Sequence, residues 1–205
     1  MPDSLIVKED IIQEKILLAA KGLFQAHGLH KVTMDDVARA IGKGRSSLYY
    51  YYKSKDEIFD AVMAIEMAEM LAAIARAVDR VLTVEQKLNA FCVTKLMVIQ
   101  EKRSFYSPLD AGMDANALSD FNKMKVTYHD LIMKQEGALL DRILTDGIEK
   151  AEIVDMNEKK RQILIFVLLS SLHGIKREMV MKNNFKDIEP AINTLTEVVM
   201  NGLKK

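Results

Sequence analysis

Four consecutive tyrosines, Tyr49 to Tyr52, stand between basic side chains in one short stretch of this chain. Arg45 precedes them, and Lys53 and Lys55 follow. Side chains on a helix turn by about 100° per residue, so four tyrosines in a row cannot share one buried face, and we expect at least two to point outward. Exposed phenol hydroxyls among cations suit a phosphate backbone. The stretch is therefore a candidate nucleic-acid surface.

The charge pattern points the same way. From Arg39 to Lys55 there are five basic residues and no acidic one, whereas the whole chain balances 29 basic against 29 acidic residues. A local excess in a neutral chain marks a surface for a polyanionic partner. Leu48 and Tyr52 are spaced to share the buried face of the helix. The tyrosines left to face outward are Tyr49, Tyr50 and part of Tyr51.

The composition favours long helices. The 205 residues include only three prolines, nine glycines and one cysteine, Cys92, which excludes a disulfide framework or a cysteine cluster. The longest apolar run, Ile163 to Leu172, is well short of the roughly 20 residues that a membrane helix needs, so we expect a buried helix there. The acidic start of the chain shows no secretory signal. We therefore expect a cytoplasmic protein without a membrane partner.

Helical spacing and capping signals divide the first part of the chain. Thr33 with Asp36 predicts a capping box, and Ser54 with Glu57 predicts a second one. The expected helices run from about Lys8 to a left-handed cap at Gly28, from Thr33 to near Gly42, over 45–52, and from Ser54 to about Val81. A short helix, a tight turn and another short helix form the helix-turn-helix layout.

Further helices are expected to build a larger body. They run from Thr83 to about Lys102, from about Asn116 to Gly147, from Asn157 to about Lys182, and from Asp187 along a stripe of Ile188, Ile192, Leu195, Val199 and Leu203. The predicted fold class is all-α, with an amino-terminal three-helix head on a helical-bundle body. We place the DNA-binding domain at 1–56 and the helical body at 57–205, with the fourth helix as a rigid connector.

One stretch of the chain resembles a known signature. Thr33, Val37-Ala38, Gly42, the run from Leu48 to Tyr52, and Ser54 to Glu57 follow the pattern of the tetracycline-repressor (TetR) family of bacterial transcription regulators. The match covers about the first 60 residues. Beyond it, chain length, the helical body and Asp146-Gly147-Ile148-Glu149 are similar to the family. The resemblance implies a ligand-responsive repressor that binds a palindromic operator as a homodimer.

The turn before the third helix departs from that pattern. Lys43 stands where an apolar residue is usual, Gly44 replaces a Ser or Thr cap, and Ser46 replaces a glycine. A glycine cap costs only a few tenths of a kcal/mol relative to Ser, on the order of 0.3 kcal/mol. We expect folding to tolerate the change, but the base preference cannot be taken from relatives.

The resemblance also implies which residues meet DNA. The amino end of the third helix enters the major groove and brings Arg45, Ser46 and Tyr50 near base edges, where Arg can bond guanine with two hydrogen bonds. Phosphate contacts would come from Thr33, Ser47, Tyr49, Tyr51 and Lys55, and Lys43 adds positive charge in the turn. Two alternatives stay open: Tyr49 and Tyr51 are partly core, or Arg45 and Lys55 are only solvated.

The segment from Ile163 to Leu169 is apolar on every side, so its outward side needs a second partner. We expect a twofold dimer with a four-helix interface. Its predicted residues are Ile163, Val167, Ser170, Ser171, Gly174, Leu195 and Val199. The alternative is a monomer with an unusually apolar core helix.

Aromatic and methionine side chains on the middle helices lie where the family holds a small-molecule inducer. The predicted effector-pocket residues are Phe91, Met97, Phe105, Tyr106, Phe121, Met124, Tyr128 and His129, with Met133 nearby. Such side chains at helical spacing are also what a plain core contains, and this alternative stays open. The ligand itself is not identified by the sequence.

Two rival functions were weighed. An all-α enzyme with a metal in its bundle needs Glu three residues before His, and none of the four histidines has it. Gly42-Lys43-Gly44 lacks the Ser or Thr of a phosphate loop. We therefore predict no catalytic residue, no metal and no cofactor. A helical adaptor that docks protein is the other rival, and it differs from a DNA binder because its affinity would respond little to salt.

Overall fold

The computed structural model describes residues 3–204, with side chains from residue 10 onward. The first residues, from which the absence of a secretory signal was predicted, lie outside the described side chains. Within 3–204 the chain forms nine helices and no strand, which confirms the all-α prediction. The helices are α1 (Asp3–His27), α2 (Met34–Ala40), α3 (Arg45–Tyr51), α4 (Lys55–Asp79), α5 (Val84–Glu101), α6 (Arg103–Tyr106), α7 (Ala115–Glu149), α8 (Glu158–Met181) and α9 (Ile188–Leu203).

The chain divides into two compact units. The first unit contains Met1–Ala68 and Lys102–Lys125, and the second contains Glu69–Glu101 and Val126–Lys205. The predicted division into 1–56 and 57–205 concerns function and stays a prediction.

The first unit holds the predicted helix-turn-helix on an aromatic core. Phe24 of α1 meets Phe59 of α4 edge to face, with ring centroids 5.5 Å apart. Leu48 of α3 is completely buried, as its spacing predicts. Burying one such side chain contributes roughly 1.5–3 kcal/mol to folding stability, so Leu48 holds α3 against the unit. The rest of the helix can therefore face outward.

Both ends of α2 are capped by the residues that the sequence indicates. Thr33 and Asp36 form the predicted capping box, since the Asp36 amide donates to Thr33 Oγ1 at 3.2 Å and the Thr33 amide donates to Asp36 Oδ2 at 3.0 Å. Gly42 adopts φ 65°, and the amides of Gly42 and Lys43 donate back to carbonyls of the last turn at 3.1 and 3.0 Å. A side chain with Cβ is disfavoured at this φ, so glycine fixes the turn that leads into α3.

The start of α4 differs from its prediction. The Glu57 amide donates to Ser54 Oγ at 3.1 Å, as expected for a capping residue. The Glu57 carboxylate, however, accepts from the Lys53 amide at 2.6 Å rather than from Ser54. Only half of the predicted capping box forms, because the carboxylate bonds one residue further back.

A carboxylate is buried in the first unit between two lysines. Glu66 of α4 is 1% exposed. Its Oε1 pairs with Lys21 of α1, and its Oε2 lies 2.9 Å from Lys102 Nζ in an ion pair without an aligned hydrogen bond. Each oxygen therefore faces one ammonium group, and we call these three residues the Glu66 triad.

The second unit has the larger apolar core, to which α5, α7, α8 and α9 contribute. The glycine of Asp146-Gly147-Ile148-Glu149 is buried there, and a Cβ on Gly147 would overlap Val84 of α5. This close approach explains why the motif needs glycine. Nearby, Glu152 caps α5 by accepting from the Val84 amide at 2.8 Å.

Several predicted boundaries need correction. Helix α1 begins at Asp3 rather than near Lys8, and the region expected to be irregular contains the short helix α6. Asp187 occupies the N-cap of α9, but its side chain makes no capping hydrogen bond. The buried face of α9 includes Thr196 and Met200, whereas Leu195 and Val199 are only partly buried. The predicted stripe included apolar residues only, so it omitted Thr196, which lies on the buried side.

Candidate DNA-binding surface and ligand-binding region

The first turn of α3 is open to solvent. Gly44 provides the N-cap without a side-chain hydrogen bond, and Arg45, Ser46 and Ser47 are all exposed. Lys43, in the turn before it, is exposed as well. Four predicted DNA-binding side chains are thus exposed close together at the start of α3, namely Lys43, Arg45, Ser46 and Ser47.

Arg45 is held in place by two neighbours. Its Nη2 donates to the Tyr49 hydroxyl at 3.1 Å, and its Nη1 lies 3.4 Å from Asp35 Oδ2. The hydrogen bond to Tyr49, followed by the charge of Asp35, raises the pKa of the Arg45 guanidinium above its usual value. The charge count from residue 39 missed Asp35, because this acid precedes the basic stretch in sequence and meets it only in the fold.

The tyrosines divide differently from the prediction. Tyr50 is 67% exposed and meets Tyr51 edge to face at 5.0 Å between ring centroids. Tyr49 and Tyr51 are half-buried, so Tyr50 alone is fully turned outward. Tyr52 is half-buried rather than buried with Leu48, because it leaves the helix in an extended conformation at the C-cap. Burial raises the pKa of Tyr52 above its usual value.

Lys55 lies at the first position of α4 and is partly buried. Its ammonium donates to the carbonyl oxygens of Leu29 and His30 at 2.8 and 3.2 Å. Burial lowers the pKa of Lys55. Lys55 thus links α4 to the turn before α2. The phosphate contacts of Lys55 and Thr33 stay predictions.

One side of α8 is apolar and uncovered. Ile163, Phe166 and Val167 are 55%, 63% and 51% exposed, while the opposite side of the helix is buried in the core of the second unit. Ser170 and Gly174 continue the exposed face, and beside it α7 and α8 border a groove of about 400 Å³. The other predicted interface residues, Ser171, Leu195 and Val199, are partly buried. Sequence reasoning missed Phe166 and Val198, which are both exposed.

The predicted effector residues belong to both units. Phe91, Met97, Tyr128 and His129 are part of the second unit, and Phe105, Tyr106, Phe121 and Met124 are part of the first. Phe91 is completely buried in the core of the second unit and Phe121 is 5% exposed, whereas Met97 is 44% exposed. Their role with a ligand stays a prediction.

A buried ion pair in the second unit was not predicted. Lys95 Nζ of α5 donates to Glu136 Oε2 of α7 at 2.5 Å, and the two side chains are 2% and 0% exposed. A signal was available, since Lys95 interrupts the apolar stripe of Leu88, Cys92 and Leu96. Burial raises the pKa of the Cys92 thiol to about 12.

The described residues contain neither a group suited to a metal ion nor a helix suited to span a membrane. Residues 10–204 contain no group of three His, Cys, Asp or Glu side chains arranged to hold a metal ion. In the same part of the chain, no helix combines the length and apolar character required to cross a membrane.

The chain is similar to known regulators along nearly its whole length. It is 25% identical over 200 residues to the uncharacterized HTH-type transcriptional regulator YvaF of Bacillus subtilis, covering 94% of this chain and 95% of that protein. It is 21% identical over 193 residues to the fatty acid metabolism regulator protein of the same organism, covering 92% and 94%.

A solved structure has the same fold. The transcriptional regulator FadR from Bacillus subtilis, in complex with stearoyl-CoA, matches with a TM-score of 0.66 and 18% identity, over 92% of this chain and 98% of that one. The model of bacterial regulatory proteins of the tetR family matches residues 16–62, which include α2, the turn and α3. The amino-terminal part of the chain thus matches the family of bacterial regulatory proteins that the tetR model describes, and the chain is similar along nearly its whole length to HTH-type transcriptional regulators.

Proposed function

We propose that the protein is a repressor that binds a palindromic operator as a homodimer and releases it when a small molecule binds. The observation that carries this proposal is the accessible first turn of α3, where Arg45, Ser46 and Ser47 are exposed after a glycine-fixed turn. A helix end of this kind fits the major groove. Such a protein acts where the chromosome is, in the cytoplasm.

The contacts of Arg45 support a role in base recognition. Tyr49 and Asp35 restrain the guanidinium before DNA arrives, so less conformational entropy is lost on binding. In this proposal Arg45, Ser46 and Tyr50 meet base edges, because they lie on the exposed side of α3. The phosphate contacts come from Thr33, Lys43, Ser47, Tyr49, Tyr51 and Lys55.

The uncovered face of α8 supports a homodimer. Ile163, Phe166 and Val167 form an apolar surface that a monomer would leave in water. Ser170 and Gly174 are small, so the same helix of a second copy can approach closely. A twofold axis through this face would pair two α3 helices for half-sites about 34 Å apart, one turn of DNA.

Two relatives suggest the class of ligand. One is named a fatty acid metabolism regulator, and the solved structure of FadR contains stearoyl-CoA. We therefore propose a fatty acyl thioester as the ligand to test first. It would act by binding better to a conformation that fits DNA poorly, and a strong switch needs a differential affinity of several kcal/mol, up to about 5.5 kcal/mol.

The decisive experiment is to select bound fragments from random DNA with the full-length protein and then measure their affinity at several salt concentrations. We expect palindromic fragments and an affinity that falls steeply with salt, because each phosphate contact releases counterions. Adding stearoyl-CoA should release the selected fragment. A flat salt response, or no fragment enriched over the input pool, would contradict DNA recognition and favour a protein-docking adaptor.

A further inference from the structure

The buried carboxylate of the second unit has one oxygen without a partner. Glu136 Oε2 accepts from Lys95 at 2.5 Å, but Oε1 is buried and has no hydrogen-bond partner among the described residues. An unpaired buried acceptor destabilises the fold, and more so when it is charged. Glu136 is 0% exposed, so bulk water does not reach it. This oxygen can accept one more hydrogen bond.

A second ammonium group stands near Glu136 without forming an ion pair with it. Lys176 of α8 is partly buried, and no carboxylate of the described residues lies within ion-pair distance of its Nζ. Burial, followed by the positive charge of Lys95, lowers the pKa of Lys176. The charge of Lys176 therefore acts on Lys95 and Glu136 without an ion pair, and its ammonium group has donors to offer an anion.

Two histidines extend this group of side chains to the surface. His173 lies one turn before Lys176 on α8, and its ring centroid is 4.8 Å from that of His129 on α7. His129 is exposed, His173 and Lys176 are partly buried, and Lys95 and Glu136 are buried. Exposure thus decreases from His129 at the surface to Glu136 in the core, and we call these five residues the Glu136 cluster.

The Glu66 triad shows what a complete arrangement looks like in the same chain. There each carboxylate oxygen faces its own lysine, Lys21 or Lys102. In the Glu136 cluster the second lysine is present, but one carboxylate oxygen remains without a donor. The second oxygen of Glu136 is therefore left for a ligand, whereas each oxygen of Glu66 already faces an ammonium group of the fold.

We propose that the Glu136 cluster is the polar end of the ligand site in the second unit, and that it binds an oxyanion carrying a neighbouring N–H or O–H donor. Lys176 and Lys95 attract the oxyanion, and Glu136 Oε1 accepts a hydrogen bond from the N–H or O–H group of the ligand. His173 lines the route by which the ligand enters. This inference rests on the proposed ligand response and names its chemistry. Coenzyme A esters combine phosphates with amide N–H groups, whereas a free fatty acid offers a carboxylate alone.

The test uses Lys176→Met in the full-length protein, with Lys102→Met as the matched control. Affinities for stearoyl-CoA, coenzyme A and stearate are measured by calorimetry, and thermal unfolding is followed without ligand. We expect Lys176→Met to weaken binding at least tenfold and to leave the unfolding temperature unchanged or higher, because a repulsion with Lys95 is removed. Lys102→Met should lower the unfolding temperature, since Glu66 loses a partner, and should leave affinity unchanged.

Glu136→Gln provides a second measurement that keeps the side-chain shape. It should weaken ligands that carry an amide donor more than stearate, because the neutral amide oxygen is a poorer acceptor. If stearate binds as strongly as stearoyl-CoA, the oxyanion that the site recognises is a carboxylate and not a phosphate next to an amide.

Two results would overturn the proposal. If Lys176→Met lowers the unfolding temperature as Lys102→Met does and leaves affinity unchanged, the Glu136 cluster only stabilises the fold. If none of the three probes binds the wild type, the cluster is not an oxyanion site. The second result leaves the proposed regulator intact as long as DNA selection yields a palindrome, so the two proposals can fail separately.

Discussion

Both compact units bury one glutamate among lysines, but they complete it to different degrees. Glu66 in the first unit faces a lysine at each oxygen, and these lysines, Lys21 and Lys102, keep 33% and 19% of their side chains exposed. Glu136 in the second unit has one lysine, which is 2% exposed, and an oxygen without a partner. In the Glu66 triad both carboxylate oxygens face an ammonium group, whereas in the Glu136 cluster one oxygen leaves an interaction for the proposed ligand to make.

The units also differ in how they present side chains to solvent. The first unit exposes cations and hydroxyls at the start of α3, all within a few residues of one another. The second unit exposes an apolar face on α8 instead. Polar exposure suits a charged partner such as DNA, and apolar exposure suits a second protein surface. One chain thus carries two kinds of exposed surface on separate units.

The largest expected effect concerns the buried pair itself. Replacing Lys95 by Met should lower the free energy of unfolding by about 3–5 kcal/mol, because the Glu136 carboxylate would remain buried without its cation. The double variant Lys95→Met/Glu136→Leu should recover most of this loss, since no buried charge is left. Urea unfolding followed by circular dichroism measures both, because the chain has no tryptophan to report by fluorescence.

The Glu66 triad is the matched control for this effect. Lys102→Met should cost less than Lys95→Met, since Glu66 keeps Lys21 and its lysines are nearer to solvent. Equal losses at Lys95 and Lys102 would mean that the two buried carboxylates are equivalent. The contrast between a closed and an open group would then fail.

A second prediction concerns the exposed face of α8. Val167→Glu should convert a dimer into a monomer, because a carboxylate at a half-exposed apolar position would be buried unpaired in the interface. Sedimentation at micromolar concentration measures the change. DNA affinity should fall about a hundredfold or more, since one head alone lacks the second half-site.

The matched control for Val167 is Leu82→Glu. Leu82 is 83% exposed between α4 and α5 and is not a predicted interface residue, so the same kind of charge should leave the mass unchanged. A wild-type protein that sediments as a monomer would refute the predicted interface outright. A dimer that persists in Val167→Glu would place the interface elsewhere.

A third, smaller effect should separate the cations of the first unit. Arg45→Ala should relax sequence preference roughly tenfold or more at one base position, because a bidentate contact to guanine is lost. Lys55→Ala should weaken binding to all sequences alike and reduce the salt dependence, as expected of a phosphate contact. It should also lower stability slightly, since Lys55 ties α4 to the carbonyls of Leu29 and His30.

Competition between matched and mismatched operators distinguishes these outcomes. Lys43→Ala is the control for lost charge alone, because Lys43 is exposed in the turn. If Arg45→Ala weakens every sequence equally, Arg45 contacts phosphate and the bases are read by other side chains. If Lys55→Ala changes stability but not affinity, the only role of Lys55 is its hydrogen bonds to the carbonyls of Leu29 and His30.

Sequence reasoning succeeded where the determining residues are neighbours. The Thr33 capping box, the Gly42 turn and the exposure of Arg45 each depend on side chains within a few positions, so a local pattern was enough. The exposed apolar side of α8 agrees with the prediction that its all-round apolar sequence exceeds what one core-facing stripe needs.

The failures concern residues that meet across long separations. Lys95 and Glu136 are 41 positions apart, and no local pattern pairs them. Asp35 reached Arg45 only because the turn folds α2 against α3. Helix α6 is four residues long, too short for helical spacing to show. Predicting these features requires the tertiary arrangement, which periodicity does not contain.

The last expected effect is a pH dependence in the Glu136 cluster. Burial, followed by the charges of Lys95 and Lys176, lowers the pKa of His173 from 6.5 to about 4. Between these values the unfolded chain binds a proton that the folded chain does not, so the free energy of unfolding should fall as pH drops from about 6.5 to about 4. Glu136 acts in the opposite direction, because burial raises its pKa.

The variant His173→Asn isolates the contribution of the imidazole. It keeps Lys95, Lys176, His129 and Glu136 in place, so their titrations cancel when its stability curve is subtracted from that of the wild type. We expect the difference to grow steadily below pH 6.5, which urea unfolding at half-unit intervals would resolve. A difference that is flat across this range would mean that His173 protonates as easily in the fold as in water. The surroundings of His173 in the Glu136 cluster would then be accessible to water.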